Sequence, residues 1–155
     1  MSGGADGKTR LRLWLRLLTC SGLVERTVRR RLRQEFAATL PRFDLMAALE
    51  RAPDGLTMGE LSQRLKVSNG NVTGVVERLV REGQVERTAL PTDRRIYRVA
   101  LTAAGRTAFA AMAARHAGWI DRLLGGLSDG EIEQLMALLA RLRHGVETNS
   151  LEVPS

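Results

Sequence analysis

"TMGELSQRLKVSNGNVTGVVERL", from Thr57 to Leu79, sets two helical patterns on either side of a short break. The first opens with Thr57 and Glu60 at capping-box spacing and turns Leu61 and Leu65 inward. The second has Ser68 as its cap and runs from Asn69 to about Glu82, where Gly83 stops it. Its first two turns hold Asn69, Gly70, Asn71, Thr73 and Gly74. Glycine is about 1 kcal/mol worse than alanine inside a helix, and asparagine is also weak. Local stability therefore does not explain this composition. At 100° per residue, Val72, Val75, Val76, Leu79 and Val80 fall within about 140° and predict a buried stripe. Gly70, Gly74, Glu77, Arg78 and Arg81 lie opposite, with Asn71 and Thr73 on the flanks.

Small and amide-bearing residues at an exposed helical tip, followed by cations, suit a helix entering the major groove of DNA by its N-terminus. Glycine lets the backbone approach closely. Asparagine can pair bidentately with adenine, and threonine offers a hydroxyl to phosphate or a methyl to thymine. The free N–H groups of the first turn attract phosphate. A frayed helix start would account for the same residues, but not for the preceding helix at the separation a helix–turn–helix requires. Further on, "QVERTA" and "IYRVAL" predict two strands, with Val85, Tyr97, Val99 and Leu101 inward at period two. The loop "LPTDRR" joins them and puts Asp93, Arg94 and Arg95 at the tip. An arginine on such a finger can enter the minor groove, and Asp93 can pair with one arginine and aim the other. A charged turn that keeps strand edges from aggregating is the alternative.

The rest of the 155 residues is helical in pattern. A long helix is predicted over residues 9–36, and Pro41 opens a short one, Arg42 to Arg51. Thr102 caps an alanine-rich helix reaching about Leu124, and Ser128 with Glu131 forms a second capping box before the last helix. That helix sets Ile132, Leu135, Met136, Leu139 and Leu142 along one face. In the first helix, Leu11, Leu13, Trp14, Leu15, Leu17 and Leu18 lie on too many sides for one core face, whereas Val24, Val28, Leu32 and Phe36 form a single stripe. A second copy of the chain is the simplest cover for the first group. The expected division is a disordered tail (1–8), a helical dimerisation region (9–36 and 103–147), a DNA-binding domain (40–102) and a disordered tail (148–155).

Composition narrows the function further. The net charge is +7, from 24 Lys+Arg against 17 Asp+Glu, and only Lys8 and Lys66 are lysines. An arginine-dominated surplus suits planar contacts to phosphate or carboxylate, though it also serves solubility. Cys20 is the single cysteine, which excludes an internal disulfide, points to a reducing compartment and reads as a small buried hydrophobe rather than a redox sensor. His116 and His144 share no ligand spacing, so neither metal nor cofactor is expected. No Gly-rich phosphate loop or nucleophile–base pair is present, which argues against an enzyme. "LRLWLRLLTCSGL" is broken by Arg12 and Arg16 and does not suit a membrane span.

"TMGELSQRLKVSNGNVTGVVERLVREGQVERT", "PTDRR" and "VALTAAGR" together resemble the MarR family of winged-helix transcriptional regulators, and "LPRFDLMAALERAPDGLT" looks like its second helix and lead-in. The likeness covers roughly Leu11 to Val146. It implies a mainly α fold with a small β-hairpin wing: a winged helix–turn–helix DNA-binding core bracketed by long dimerisation helices. It also implies a cytoplasmic bacterial homodimer on a pseudo-palindromic operator in double-stranded DNA, more often a repressor. The first, fifth and sixth helices would build the dimer. Ser68, Asn69, Gly70, Asn71, Thr73, Arg78, Arg81, Arg94 and Arg95 are then the expected DNA contacts, with Asp93 orienting the wing. Gly74 departs from the pattern, because many members carry arginine there.

"ERTVRRRLRQE" places Arg26, Arg29, Arg30 and Arg33 on one helical face, while Arg31 points elsewhere. Like charges at these spacings cost a few tenths of a kcal/mol per pair. The stripe is either a solvated face or a clamp for an anion. Family members usually hold a small effector between the first, second and fifth helices, which would make these four arginines and Phe43 the effector site. Four arginines exceed the needs of one carboxylate and suit several phosphates, as in an aromatic acyl-CoA thioester. "LWLRLLTC" and "LPRFDL" are also similar to members that answer to such compounds. The expected response is a shift toward a spacing of recognition helices that no longer fits major grooves about 34 Å apart. A winged-helix module for protein–protein assembly or nonspecific DNA binding, without an effector, is the competing expectation.

Overall fold

The structure, a computed structural model, describes residues 6–65 and 69–149, with the backbone alone at Asn69 and Gly70. In chain order the elements are α1 (Gly7–Phe36), α2 (Leu40–Glu50), β1 (Leu56–Thr57), α3 (Met58–Leu65) and α4 (Asn69–Arg81), then β2 (Val85–Ala89), β3 (Tyr97–Leu101), α5 (Ala103–Leu123) and α6 (Asp129–Thr148). The chain is mostly helical, with one small antiparallel sheet. It divides into two compact units, residues 1–119 and 120–155.

In the first unit the core gathers on α2. Leu45, Met46 and Leu49 of α2 are fully buried together with Leu32, Leu61, Val72, Val76, Leu79 and Val99, and α2 packs on α3, α4 and β3. The α2 boundary differs from expectation: Thr39 is the cap, its hydroxyl accepting from the Arg42 N–H at 3.3 Å, so Pro41 falls inside the first turn. Proline is tolerated there because its missing N–H would be unpaired anyway. The capping box on α3 forms as spaced, with Thr57 N to Glu60 Oε2 at 2.9 Å and Glu60 N to Thr57 Oγ1 at 3.2 Å.

The sheet has three strands in the order β1-β3-β2, not the two expected. Leu56 and Thr57 pair with Val99 and Arg98; two residues are too few to show alternation in sequence. Val85, Val99 and Leu101 are buried, as the period predicted, but Tyr97 at the start of β3 is 47% exposed.

Behind the wing, α4, β2 and α5 are tied at one point. The Thr102 hydroxyl donates to the Gly83 carbonyl at 2.7 Å and accepts from the Gly105 N–H at 3.0 Å, while the Thr102 N–H donates to the Gln84 carbonyl at 3.1 Å. A β-carbon on Gly105 would stand 1.9 Å from that Gln84 oxygen. The "LT…AAG" signature is therefore a packing requirement.

The α1 helix starts two residues earlier than expected, with the Asp6 carbonyl accepting from the Thr9 N–H at 2.8 Å. Its 30 residues make it about 45 Å long. Val28 and Leu32 are buried, but Leu11, Leu13, Trp14, Leu15, Leu18 and Leu23 are exposed. Cys20 is exposed too, contrary to the expectation of a buried residue, because it lies in this uncovered half. In the second unit, Ser128 and Glu131 form the expected reciprocal cap at 2.8 and 3.2 Å. There α6 exposes Leu135, Met136, Leu138, Leu139, Leu142 and Val146. Among the described residues, no helix is long and apolar enough to cross a membrane.

Candidate nucleic-acid interface

The stripe read from α4 packs inward: Val72, Val76 and Leu79 are buried, and Val75 and Val80 half-buried. The other side presents Asn71, Thr73, Gly74, Glu77, Arg78 and Arg81 to solvent. Asn69 and Gly70 contribute backbone to the first turn, and Ser68 lies outside the described residues. A β-carbon on Gly74 would meet nothing within 4 Å, so this face has open space at its centre.

At the tip of the β2–β3 hairpin, Asp93 organises the turn. Its Oδ1 accepts from the Arg95 N–H at 3.0 Å and lies 3.6 Å from Arg95 Nε. Its carbonyl accepts from the Ile96 N–H at 3.1 Å. Arg94 is exposed beside it and makes no ion pair among the described residues. The finger thus carries one arginine held against an aspartate and one directed into solvent.

The arginine stripe of α1 is exposed, but it borders a concavity rather than a flat surface. Arg26, Arg29, Arg30 and Arg33 line an open cleft of about 1030 Å³, flanked by the start of α2 (residues 39–42) and by α4. The α4 wall includes Asn71, Gly74, Glu77, Arg78 and Arg81. A smaller pocket of about 180 Å³ adjoins it, walled by Leu40, Pro41, Leu45, Leu65, Val72 and Val75, with Glu25, Arg29 and Asp44 also in its lining. Arg29, Leu40, Pro41, Asn71 and Val75 belong to both.

The cleft departs in two respects from the expected effector site. The cleft lies between α1, α2 and α4, with no residue of α5 in its lining. Phe43 is not in it: the side chain is buried against Phe109 and His116, at ring separations of 5.5 and 4.7 Å. A phenylalanine near a helix start carries no sequence mark that separates core from pocket. The α4 wall was missed for the opposite reason, since nothing local shows that α1 runs alongside α4.

The cleft's charges are unevenly engaged. Arg42 is taken up by Glu82 at 2.5 Å and by the Gln84 amide oxygen at 2.9 Å. That hydrogen bond holds the Glu82 carboxyl below its ordinary value, against the opposing effect of burial. Arg29 is paired with Glu25 at 2.6 Å. Arg31 points away, 3.8 Å from Glu35, whose carboxyl is lowered mainly by its hydrogen bond from Arg115. Arg26, Arg30, Arg33, Arg78 and Arg81 have no ion-pair partner among the described residues. On the rim of the smaller pocket, partial burial pushes the Asp44 carboxyl up. No cluster of three or more metal-ligating side chains occurs among the described residues.

A helix–turn–helix with an exposed recognition face, flanked by an arginine-tipped hairpin, defines a winged-helix DNA-binding protein. Residues 39–96 match the MarR family. A MarR family transcriptional regulator from Silicibacter pomeroyi is 37% identical, superimposes with a TM-score of 0.76, and the match covers 90% of this chain and 96% of that one. A mutant MarR from E. coli complexed with operator DNA is 25% identical with a TM-score of 0.74, covering 89% of this chain and 99% of that one. The transcriptional activatory protein BadR of Rhodopseudomonas palustris is 29% identical over 143 residues, 89% of this chain and 81% of BadR. The chain belongs to the MarR family: it is a DNA-binding transcriptional regulator and not an enzyme.

Proposed function

We propose that this regulator works as a homodimer on a pseudo-palindromic operator and is released by a small anionic effector seated in the arginine cleft, with aromatic acyl-CoA thioesters as the effector class. The cleft carries the proposal: four arginines of α1 share one concavity with an adjoining apolar pocket. Phosphates suit the guanidinium groups, which bind them bidentately. A cavity of roughly 150 Å³ suffices for a benzene ring, so a single aromatic acyl group suits the smaller pocket. Dimer formation is supported by the apolar rows left uncovered on α1 and α6.

In this reading α4 enters the major groove. Asn71, Thr73, Arg78 and Arg81, with Ser68, Asn69 and Gly70 ahead of them, face the duplex. Arg94 and Arg95 take the wing contacts, and Asp93 orients them. Repression follows where the operator overlaps a promoter; BadR is named an activatory protein, and activation needs only a different operator position.

The test is a footprint of the chain's own upstream DNA, with and without benzoyl-CoA, free coenzyme A and benzoate. A two-fold related footprint lost with benzoyl-CoA is the expected result. Release by benzoate but not by benzoyl-CoA overturns the effector class. Equal binding to random DNA at matched salt overturns operator recognition in favour of an effector-free module.

A further inference from the structure

Helix α4 serves two surfaces at once. Its exposed face is the DNA-reading face of the winged-helix core, and the same residues, Asn71, Gly74, Glu77, Arg78 and Arg81, form one wall of the arginine cleft. Arg78 and Arg81 matter most, because both are exposed cations without an ion-pair partner among the described residues. A guanidinium fork satisfies one phosphate at a time in bidentate geometry. Glu77 on the same wall sharpens the conflict, since an anion in the cleft can offset its repulsion only by drawing on neighbouring arginines.

We propose that an anionic effector in the cleft and the phosphates of the operator compete for Arg78 and Arg81, so that release from DNA is mutual exclusion within each protomer rather than a change in the distance between recognition helices. The proposal rests on the cleft being the effector site. The open space at Gly74 contributes: a β-carbon there would meet nothing within 4 Å, and the glycine itself puts no side chain between Arg78 and the cleft.

Exclusion and a spacing shift differ in one measurable respect. Under exclusion the apparent operator Kd keeps rising with effector, toward a log–log slope of two for a dimer with one cleft per subunit. Under a spacing shift it levels off, once the effector exceeds its Kd by the per-site coupling factor of typically about 5–150-fold, at the square of that factor for two clefts. Benzoyl-CoA is first titrated into the DNA-free protein by calorimetry to fix its Kd. Operator affinity is then followed by fluorescence anisotropy to about 300 times that Kd, beyond the usual range of coupling factors.

The expected result is no ceiling, together with at least a five-fold weaker benzoyl-CoA Kd in Arg78→Ala and Arg81→Ala. Arg51→Ala, an exposed arginine outside the cleft, controls for net charge. Thermal melts of each variant check folding. A plateau, or an unchanged effector Kd in both α4 variants, overturns the exclusion mechanism while leaving the cleft as effector site. Absence of any binding of benzoyl-CoA or free coenzyme A to the DNA-free protein removes the effector site itself, and this mechanism with it.

Discussion

Arg42, in the first turn of α2, sets its guanidinium 2.5 Å from the Glu82 carboxylate just beyond α4. This pair ties the far end of α4 to the helix at the centre of the core. The carboxyl is held below its ordinary value of 4.5, chiefly by the Arg42 hydrogen bond. A carboxylate lowered on folding stabilises the fold above its unfolded pKa, and the contribution fades as pH falls through the folded one. Wild type should therefore resist urea better than Glu82→Gln near neutrality, with the gap closing in acid below 4.5. An equal gap at every pH would mean that the pair adds nothing.

Gly105→Ala should destabilise the protein by roughly 1–3 kcal/mol, because the added methyl must push the Gln84 carbonyl away and disturb the Thr102 hydrogen bonds. Thr102→Val, which removes the cap but keeps the shape, should cost about 1 kcal/mol. Guanidinium denaturation measures both. An unchanged midpoint for Gly105→Ala would show that the α4–β2–α5 junction has slack.

Much of this was legible in the sequence, for identifiable reasons. Capping boxes are local, so Thr57–Glu60 and Ser128–Glu131 could be read from spacing alone. The stripe of α4 could be read because 3.6-residue periodicity does not depend on the partner. The third strand could not, since Leu56 and Thr57 become a strand only by pairing with Val99 and Arg98. The cleft was half legible. Four arginines on one face of α1 could be read as a shared stripe, solvated or anion-binding, but the opposing wall arises from contacts between segments some forty residues apart in sequence. Phe43 packs in the core rather than beside the arginines, a difference that aromatic character alone does not mark.

Loss of Arg94 should weaken operator binding by about 1–3 kcal/mol and reduce the salt slope by about 1 if the finger meets phosphate or the minor groove. Asn71→Ala should instead change which base is preferred opposite it, which competition among single-site operator variants would reveal. Arg95→Ala should weaken binding and loosen the turn, because Arg95 also pairs with Asp93. Indistinguishable affinities for all three variants and wild type would place the duplex elsewhere.

Trp14→Glu on α1 and Leu138→Glu on α6 put a charge into apolar rows that are 55% and 57% exposed at those residues. Each should shift sedimentation from two chains to one and abolish tight operator binding, since one recognition helix reads only half a palindrome. Dimeric sedimentation in both variants would show that these rows are not the subunit seam.

The open space at Gly74 leaves a bare step on the exposed face of α4. Alanine there should strengthen the helix by about 1 kcal/mol, so the fold gains nothing from the glycine. A methyl group there would displace no neighbour. Because Gly74 also belongs to the wall of the arginine cleft, a side chain placed there would enter that concavity as well, so one substitution would touch both surfaces of α4.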